Sequence, residues 1–126
     1  MADRQQTVAI IGASTDRAKF GNKSVRAHLK CGWKVFPINP KETEIEGLKV
    51  YRSILDVPGK IDRISVYLLP IVSMKLMPEF KKASPGEIYF NPGTESPELL
   101  DTARAMGLNA IAACSIVALG ERASDY

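Results

Sequence analysis

A short apolar run, Thr7 to Ile11, is followed by Gly12, Ala13 and Ser14, and the next glycine is Gly21. Glycine directly after a strand lets the chain turn tightly and lets an anion approach the backbone closely. A helix starting beyond it presents unbonded N–H groups and the positive end of its dipole. Ser14 and Thr15 add hydroxyls, and Arg17 and Lys19 add positive charge. This is the chemistry of a phosphate cradle. Strand–helix turns in general also favour glycine and serine, so the tripeptide alone leaves both readings open. It is not the dinucleotide fingerprint G-x-G-x-x-G, because Ser14 takes the second glycine position. It is not a P-loop either, since no Gly-Lys-Ser/Thr follows.

A second loop separates the ligands that the first cannot. In an NAD-binding domain the second strand usually ends in a carboxylate that binds the ribose hydroxyls. Here the run Lys34 to Ile38 leads into Asn39, Pro40 and Lys41. A lysine there suits a phosphorylated ribose, as in coenzyme A with its 3′-phosphate or NADP with its 2′-phosphate. The plainer alternative is that Pro40 ends the strand and Lys41 is a solvated surface residue.

The remaining reactive side chains form no catalytic constellation. The single histidine, His28, is expected on the first helix, facing solvent or a neighbouring turn, and no partner acid or nucleophile is named by spacing. Cys31 precedes Gly32 and reads as packing. Cys114 falls at the end of the last strand, on the ligand side of the sheet. It is either a small buried hydrophobe or a contact for the thiol arm of coenzyme A. The two cysteines have no metal-ligand spacing. A net charge of +3 is too mild to point to nucleic acid, and it fits a small anionic ligand or simply a soluble surface. No apolar run approaches the ~20 residues of a membrane helix, and the polar start, Met1 to Gln6, has no secretory pattern. These features point to the cytoplasm.

The elements that must position these residues are legible as five apolar runs: Thr7 to Ile11, Lys34 to Ile38, Ile64 to Leu69, Glu87 to Phe90 and Asn109 to Ala112. Near-continuous apolar runs suit strands buried on both faces of a parallel sheet. Helical segments between them give an α/β fold, a Rossmann-like doubly wound sheet in three layers with strand order 3-2-1-4-5. The first helix is expected over Asn22 to Cys31, with Gly32 as its stop. The middle one, Ile71 to Ala83, carries the stripe Val72, Leu76 and Phe80, and Pro78 predicts a kink or a division into two helices. The last has Ser96 as cap, Pro97 in the first turn, Glu98 at the positive dipole end, and Leu99, Ala103 and Met106 on one face before Gly107. Glu42 to Tyr51 reads as a short turn or hairpin, and Ser53 to Val57 as one helical turn. No repeat or second domain is visible, so residues 1–126 read as a single domain.

Five motifs in this order resemble the coenzyme A-binding domain family, small proteins similar to the N-terminal domain of the succinyl-CoA synthetase alpha subunit. They are Val8 to Ser14, Gly32 before the second strand, Pro37 to Pro40, Ile45-Glu46-Gly47, and Asn91-Pro92-Gly93-Thr94-Glu95. The resemblance implies that Gly12, Ala13 and Ser14 meet the phosphates, beside the charge that Lys19 adds to the same loop. Asn39, Pro40 and Lys41 would flank the ribose phosphate and adenine. Leu69 and Pro70 would pack on the adenine, Gly93 and Thr94 would lie beyond the fourth strand, and Cys114 near the thiol arm. Asn91 stands where the family usually has glutamine, Ala113 replaces a frequent basic residue, and Pro78 interrupts a usually continuous helix. The implied function is binding of coenzyme A or an acyl-CoA by a non-catalytic carrier, sensor or partner domain, with a protein partner or homo-oligomer as its context. The alternatives are a CoA-ligase or transferase component working with a separate catalytic chain, or an NAD(P)-responsive regulatory domain. Succinyl-CoA synthetase uses a phosphorylated histidine in a further domain, and this sequence stops before any such segment.

Overall fold

Successive residues of a strand point to opposite faces of the sheet, so a strand apolar at every position must be covered on both sides. Val8 and Ile10 pack into one apolar cluster and Ala9 and Ile11 into another, all nearly inaccessible to solvent. The structure, a computed structural model, describes residues 4–126. In chain order the elements are β1 (Thr7–Ile11), α1 (Phe20–Lys30), β2 (Lys34–Ile38), the hairpin strands β3 (Glu44–Ile45) and β4 (Leu48–Lys49), β5 (Arg63–Val66), α2 (Pro70–Ala83), β6 (Glu87–Phe90), α3 (Pro97–Ala105), β7 (Ala110–Ala112) and α4 (Ser115–Ala118). Single 3-10 turns lie at Ile54–Asp56 and Ala123–Asp125.

The five long strands form one parallel sheet in the order β2-β1-β5-β6-β7. Helix α1, with Val25 buried, covers the face of Val8, Ile10 and Val35, while α2 and α3 cover the other through Met77, Phe80, Leu99 and Ala103. The expected three-layer, doubly wound α/β architecture is therefore present. Counting only the five long runs, the order is 2-1-3-4-5. With Tyr51, which bridges in parallel to Ile38 outside β2, counted as the third strand position, the order reads 3-2-1-4-5-6 and contains the expected 3-2-1-4-5. The chain reaches that position by the β3–β4 hairpin and not by a crossover helix, so only one residue is left to pair there.

Several boundaries differ from the sequence expectation. α1 starts at Phe20, two residues earlier than Asn22, with Lys19 as its N-cap. β5 ends at Val66 rather than Leu69, and Leu69 instead caps α2. α2 runs unbroken through Pro78. Pro78 is exposed, whereas Met77 and Phe80 beside it are buried and hold both halves against the sheet. That packing outweighs the roughly 3 kcal/mol that a mid-helix proline costs. The buried stripe of α2 is Ser73, Met77 and Phe80, one residue out of phase with Val72 and Leu76. α3 forms as expected, with Ser96 Oγ accepting from Leu99 N at 3.1 Å and Pro97 at its first position. Ser53 Oγ caps the turn at Ile54–Asp56 in the same way.

The largest departure concerns His28. Of the two expected surroundings solvent is excluded: it is fully buried, with its ring edge-on to Trp33 in the turn after α1. Its Nδ1 lies 2.8 Å from the Ser24 carbonyl and its Nε2 3.3 Å from Arg63 NH1. A carbonyl only accepts and a guanidinium only donates, so the ring is neutral, with the proton on Nδ1. Arg63 in turn stacks between Trp33 and Tyr89, 4.5 Å from each ring, and its Nε donates to Glu87 Oε2 at 2.7 Å. Burial, followed by the charge of Arg63, holds the His28 pKa down to about 4, against the opposing bond to Ser24. Cys31, expected to pack, is exposed.

Candidate functional site

All loops that leave the C-terminal ends of the strands gather at one edge of the sheet. The outermost strands of this edge wind in opposite directions from β1 and β5, which is where open α/β sheets bind ligands. The first loop is tied down from beneath. Gly12 N and Ala13 N donate to Ile38 O, and Asn39 Nδ2 donates to Ala13 O at 2.9 Å. Fully buried Asn22 donates through Nδ2 to Ser14 O at 2.9 Å and to Glu46 Oε2 at 3.1 Å. Its Oδ1 accepts from Arg26 Nε at 2.7 Å, and Arg26 NH2 donates to Arg17 O at 2.7 Å. The carbonyls of Ala13, Ser14 and Arg17 are thus held inward. The N–H groups of Ser14, Thr15, Phe20 and Gly21 have no acceptor among the described residues. Such a set of free N–H groups at a helix start is suited to an anion.

Two glycines make this cradle possible. Gly12 has φ +85°, and a Cβ there would lie 2.7 Å from Tyr67 O. A Cβ on Gly21 would collide with the Gly12 carbonyl oxygen. The start of α1 therefore lies directly on the end of β1.

Beside the cradle is a cavity of about 380 Å³ lined by Gly12, Lys19, Phe20, Gly21, Tyr67, Asn91, Pro92, Thr94 and Cys114. That volume is in the range of small-molecule sites. The far wall is set by a buried polar network. Asn91 Nδ2 donates to Ser65 Oγ at 2.9 Å and to Val66 O at 2.8 Å, while Asn91 Oδ1 accepts from Ser115 N at 2.8 Å. Ser65 and Ser115 hydroxyls lie 2.7 Å apart, and the Tyr67 hydroxyl is 3.2 Å from Ser115 Oγ. Burial raises the Tyr67 pKa, so the phenol stays neutral. Thr94 Oγ1 donates to Asn91 O at 2.7 Å.

Of the residues expected at the site, the cavity brings together Gly12, Lys19, Thr94 and Cys114. Ala13 is buried beneath the loop, and Ser14 is half-buried with its Oγ accepting from Asp16 N at 3.0 Å. Asn39 folds the next loop, its Oδ1 accepting from Lys41 N at 2.8 Å, and leaves Pro40 and Lys41 exposed at the same edge. Leu69 is 67% exposed, Pro70 half-buried and Gly93 exposed; they border the edge without lining the cavity. Phe20, Gly21, Tyr67, Asn91 and Pro92 line it without having been singled out as ligand contacts. Gly21 and the Asn91-Pro92 pair did stand within noted motifs. Phe20 and Tyr67 carry no local sequence signal.

Residues 6–120 match the family model described as CoA binding domain. The chain belongs to the CoA-binding domain family. It is 38% identical over 89 residues to the acetate–CoA ligase (ADP-forming) of Methanocaldococcus jannaschii, a match covering 70% of this chain and 13% of that protein. With the alpha subunit of acetate–CoA ligase (ADP-forming) II of Pyrococcus furiosus it shares 32% identity over 117 residues, 82% of this chain and 25% of that one. This CoA-binding domain therefore spans a quarter or less of the length of these relatives. Among solved structures, a hypothetical protein from Pyrococcus horikoshii superposes with a TM-score of 0.83 at 29% identity, covering 90% of this chain and 81% of that one.

The cradle fits the group that this family name implies. Gly12 and Gly21 leave the backbone bare for a diphosphate, and the free N–H groups at the start of α1 face the same edge. Lys19 and Lys41 form no ion pair among the described residues and can meet phosphates. No helix is long and apolar enough to cross a membrane among the described residues.

Proposed function

We propose that this chain binds coenzyme A or an acyl-CoA at the C-terminal edge of its sheet and acts in the cytoplasm as a non-catalytic carrier, sensor or partner domain. The observation that carries the reading is the cradle of free N–H groups opening into the cavity between Gly12, Lys19 and Cys114. In this reading Gly12, Ala13, Ser14 and Lys19 hold the diphosphate. Asn39, Pro40 and Lys41 flank the ribose phosphate, Leu69 and Pro70 offer apolar surface to the adenine, and Gly93, Thr94 and Cys114 border the arm. The single histidine is committed to a buried structural role, with both ring nitrogens bonded. That favours binding over acid–base chemistry by this residue.

Calorimetry with coenzyme A, dephospho-coenzyme A and NAD tests the reading. Coenzyme A is expected to bind at least ~10-fold tighter than NAD, about 1.4 kcal/mol. Lys41→Glu is expected to weaken coenzyme A strongly and dephospho-coenzyme A much less, because charge-assisted phosphate contacts are the stronger ones. Equal affinity for NAD refutes the choice of ligand. Equal weakening of the two coenzyme forms refutes the role of Lys41 alone.

The names of the relatives favour a second reading, a component of an ADP-forming ligase that presents coenzyme A to a separate catalytic chain. It is separated from the first by whether bound coenzyme A becomes acylated only when such a chain, a carboxylic acid and ATP are supplied.

A further inference from the structure

The two ends of the cavity are chemically unlike. At the α1 end lie Lys19 and the unbonded N–H groups of Phe20 and Gly21. At the other end every polar side chain is already engaged inside the protein. Asn91 is only 2% exposed, with both Nδ2 hydrogens and Oδ1 bonded. Thr94 is 8% exposed and donates to Asn91 O, and the Tyr67 hydroxyl is bonded to Ser115. Pro92 has no N–H to offer. The surface left to a ligand is the Tyr67 ring, the Phe20 ring, Pro92 and the Cys114 thiol. An amide or hydroxyl placed against it loses its bonds to water without replacement, whereas a methylene is favoured there.

We propose that this end of the cavity takes the acyl group of an acyl-CoA, a short aliphatic chain. The chain would then select the thioester over free coenzyme A. The inference rests on the coenzyme A reading and names the form of the ligand that the site prefers. The bound diphosphate end lies toward Lys19 and Gly21, and the acyl end toward Pro92 and Cys114. Phe20 and Tyr67 wall the chamber and pack on the methylenes of the acyl chain.

The experiment is a calorimetric series with coenzyme A, acetyl-CoA, butyryl-CoA and hexanoyl-CoA on the wild-type chain and on two variants. Each buried methylene is expected to tighten binding about fourfold in the wild type. Phe20→Ala removes a wall residue that is 55% exposed, so the fold is retained and the increment is expected to shrink. Cys114→Phe fills the chamber and is expected to abolish the increment, read as the ratio of hexanoyl-CoA to coenzyme A affinity within that variant. A flat series in the wild type, with coenzyme A bound normally, overturns the acyl proposal and leaves the coenzyme A reading standing. A slope unchanged in Phe20→Ala also overturns it, since the tail then packs elsewhere. No binding by any member of the series overturns the coenzyme A reading itself.

Discussion

Acidification from pH 8 to pH 5 is expected to weaken the fold by about 2 kcal/mol through His28 alone. The folded-state pKa is held near 4, against 6.5 for an unperturbed imidazole. The full gap, roughly 2.5 pH units at about 1.36 kcal/mol each, corresponds to about 3 kcal/mol. The sign follows from proton counting. Between pH 6.5 and 4 the unfolded chain binds the proton and the folded one does not, so the stability is present above 6.5 and is lost as pH falls toward 4. At pH 5 most of the loss, about 2 kcal/mol, has occurred. The structural cause is the fixed tautomer: Nδ1–H faces the Ser24 carbonyl, and Nε2 accepts from Arg63 and cannot also take a proton. Asp62, paired with Arg4 and held at about 2, loses its contribution only between its ordinary 3.8 and that value, so it leaves the His28 window clear. Urea unfolding at pH 8, 6.5 and 5 measures the effect, and a His28→Gln variant supplies the control, being less stable throughout but flatter across that window. A wild-type stability equal at pH 8 and pH 5, within about 0.5 kcal/mol, would refute both the neutral ring and the burial argument.

Two further outcomes bear on the site. Incubation with coenzyme A disulfide is expected to form a mixed disulfide on Cys114, releasing free coenzyme A thiol, and to spare Cys31. Cys31 is the more exposed of the two, so undirected exchange would label it first; peptide mass mapping that finds the adduct on Cys31, or on neither, removes Cys114 from the ligand path. Gly21→Ala places a methyl against the Gly12 carbonyl oxygen. Because backbone must move on both sides, a loss of about 1–3 kcal/mol in thermal unfolding and a larger loss of coenzyme A binding are expected, and near-wild-type values for both would show that the contact is slack.

The sheet was legible because its strands are apolar on both faces, and α3 because Ser96, Pro97 and Gly107 mark its ends with side chains acting locally. The loops were legible for the same reason: Gly12 and Asn39 shape their own turns. Only the neighbouring-turn option for His28 survives, through Trp33, and its burial was not legible because nothing near it in sequence announces Arg63, which approaches from 35 residues away. Pro78 was over-weighted because its local cost is visible in sequence, while the packing of Met77 and Phe80 that offsets it is tertiary. The cavity walls were half legible. Gly12, Thr94 and Cys114 follow strand ends and Lys19 caps α1, but Phe20 and Tyr67 become wall residues only through the contact of α1 with the end of β1.

Ser24, His28, Trp33, Arg63, Glu87 and Tyr89 meet from α1, the turn after it, β5 and β6. Removing His28, Arg63 or Glu87 leaves another member of the set without a partner, at about 1–3 kcal/mol, a large share of a small domain's stability. These positions cannot drift singly. Across descendants of this chain they are expected to covary as a block, retained together or exchanged together for an apolar set of the same volume, which buried ion pairs tolerate far better than the loss of one partner. A descendant that keeps arginine at position 63 but lacks histidine at position 28 should therefore carry a new acceptor on α1.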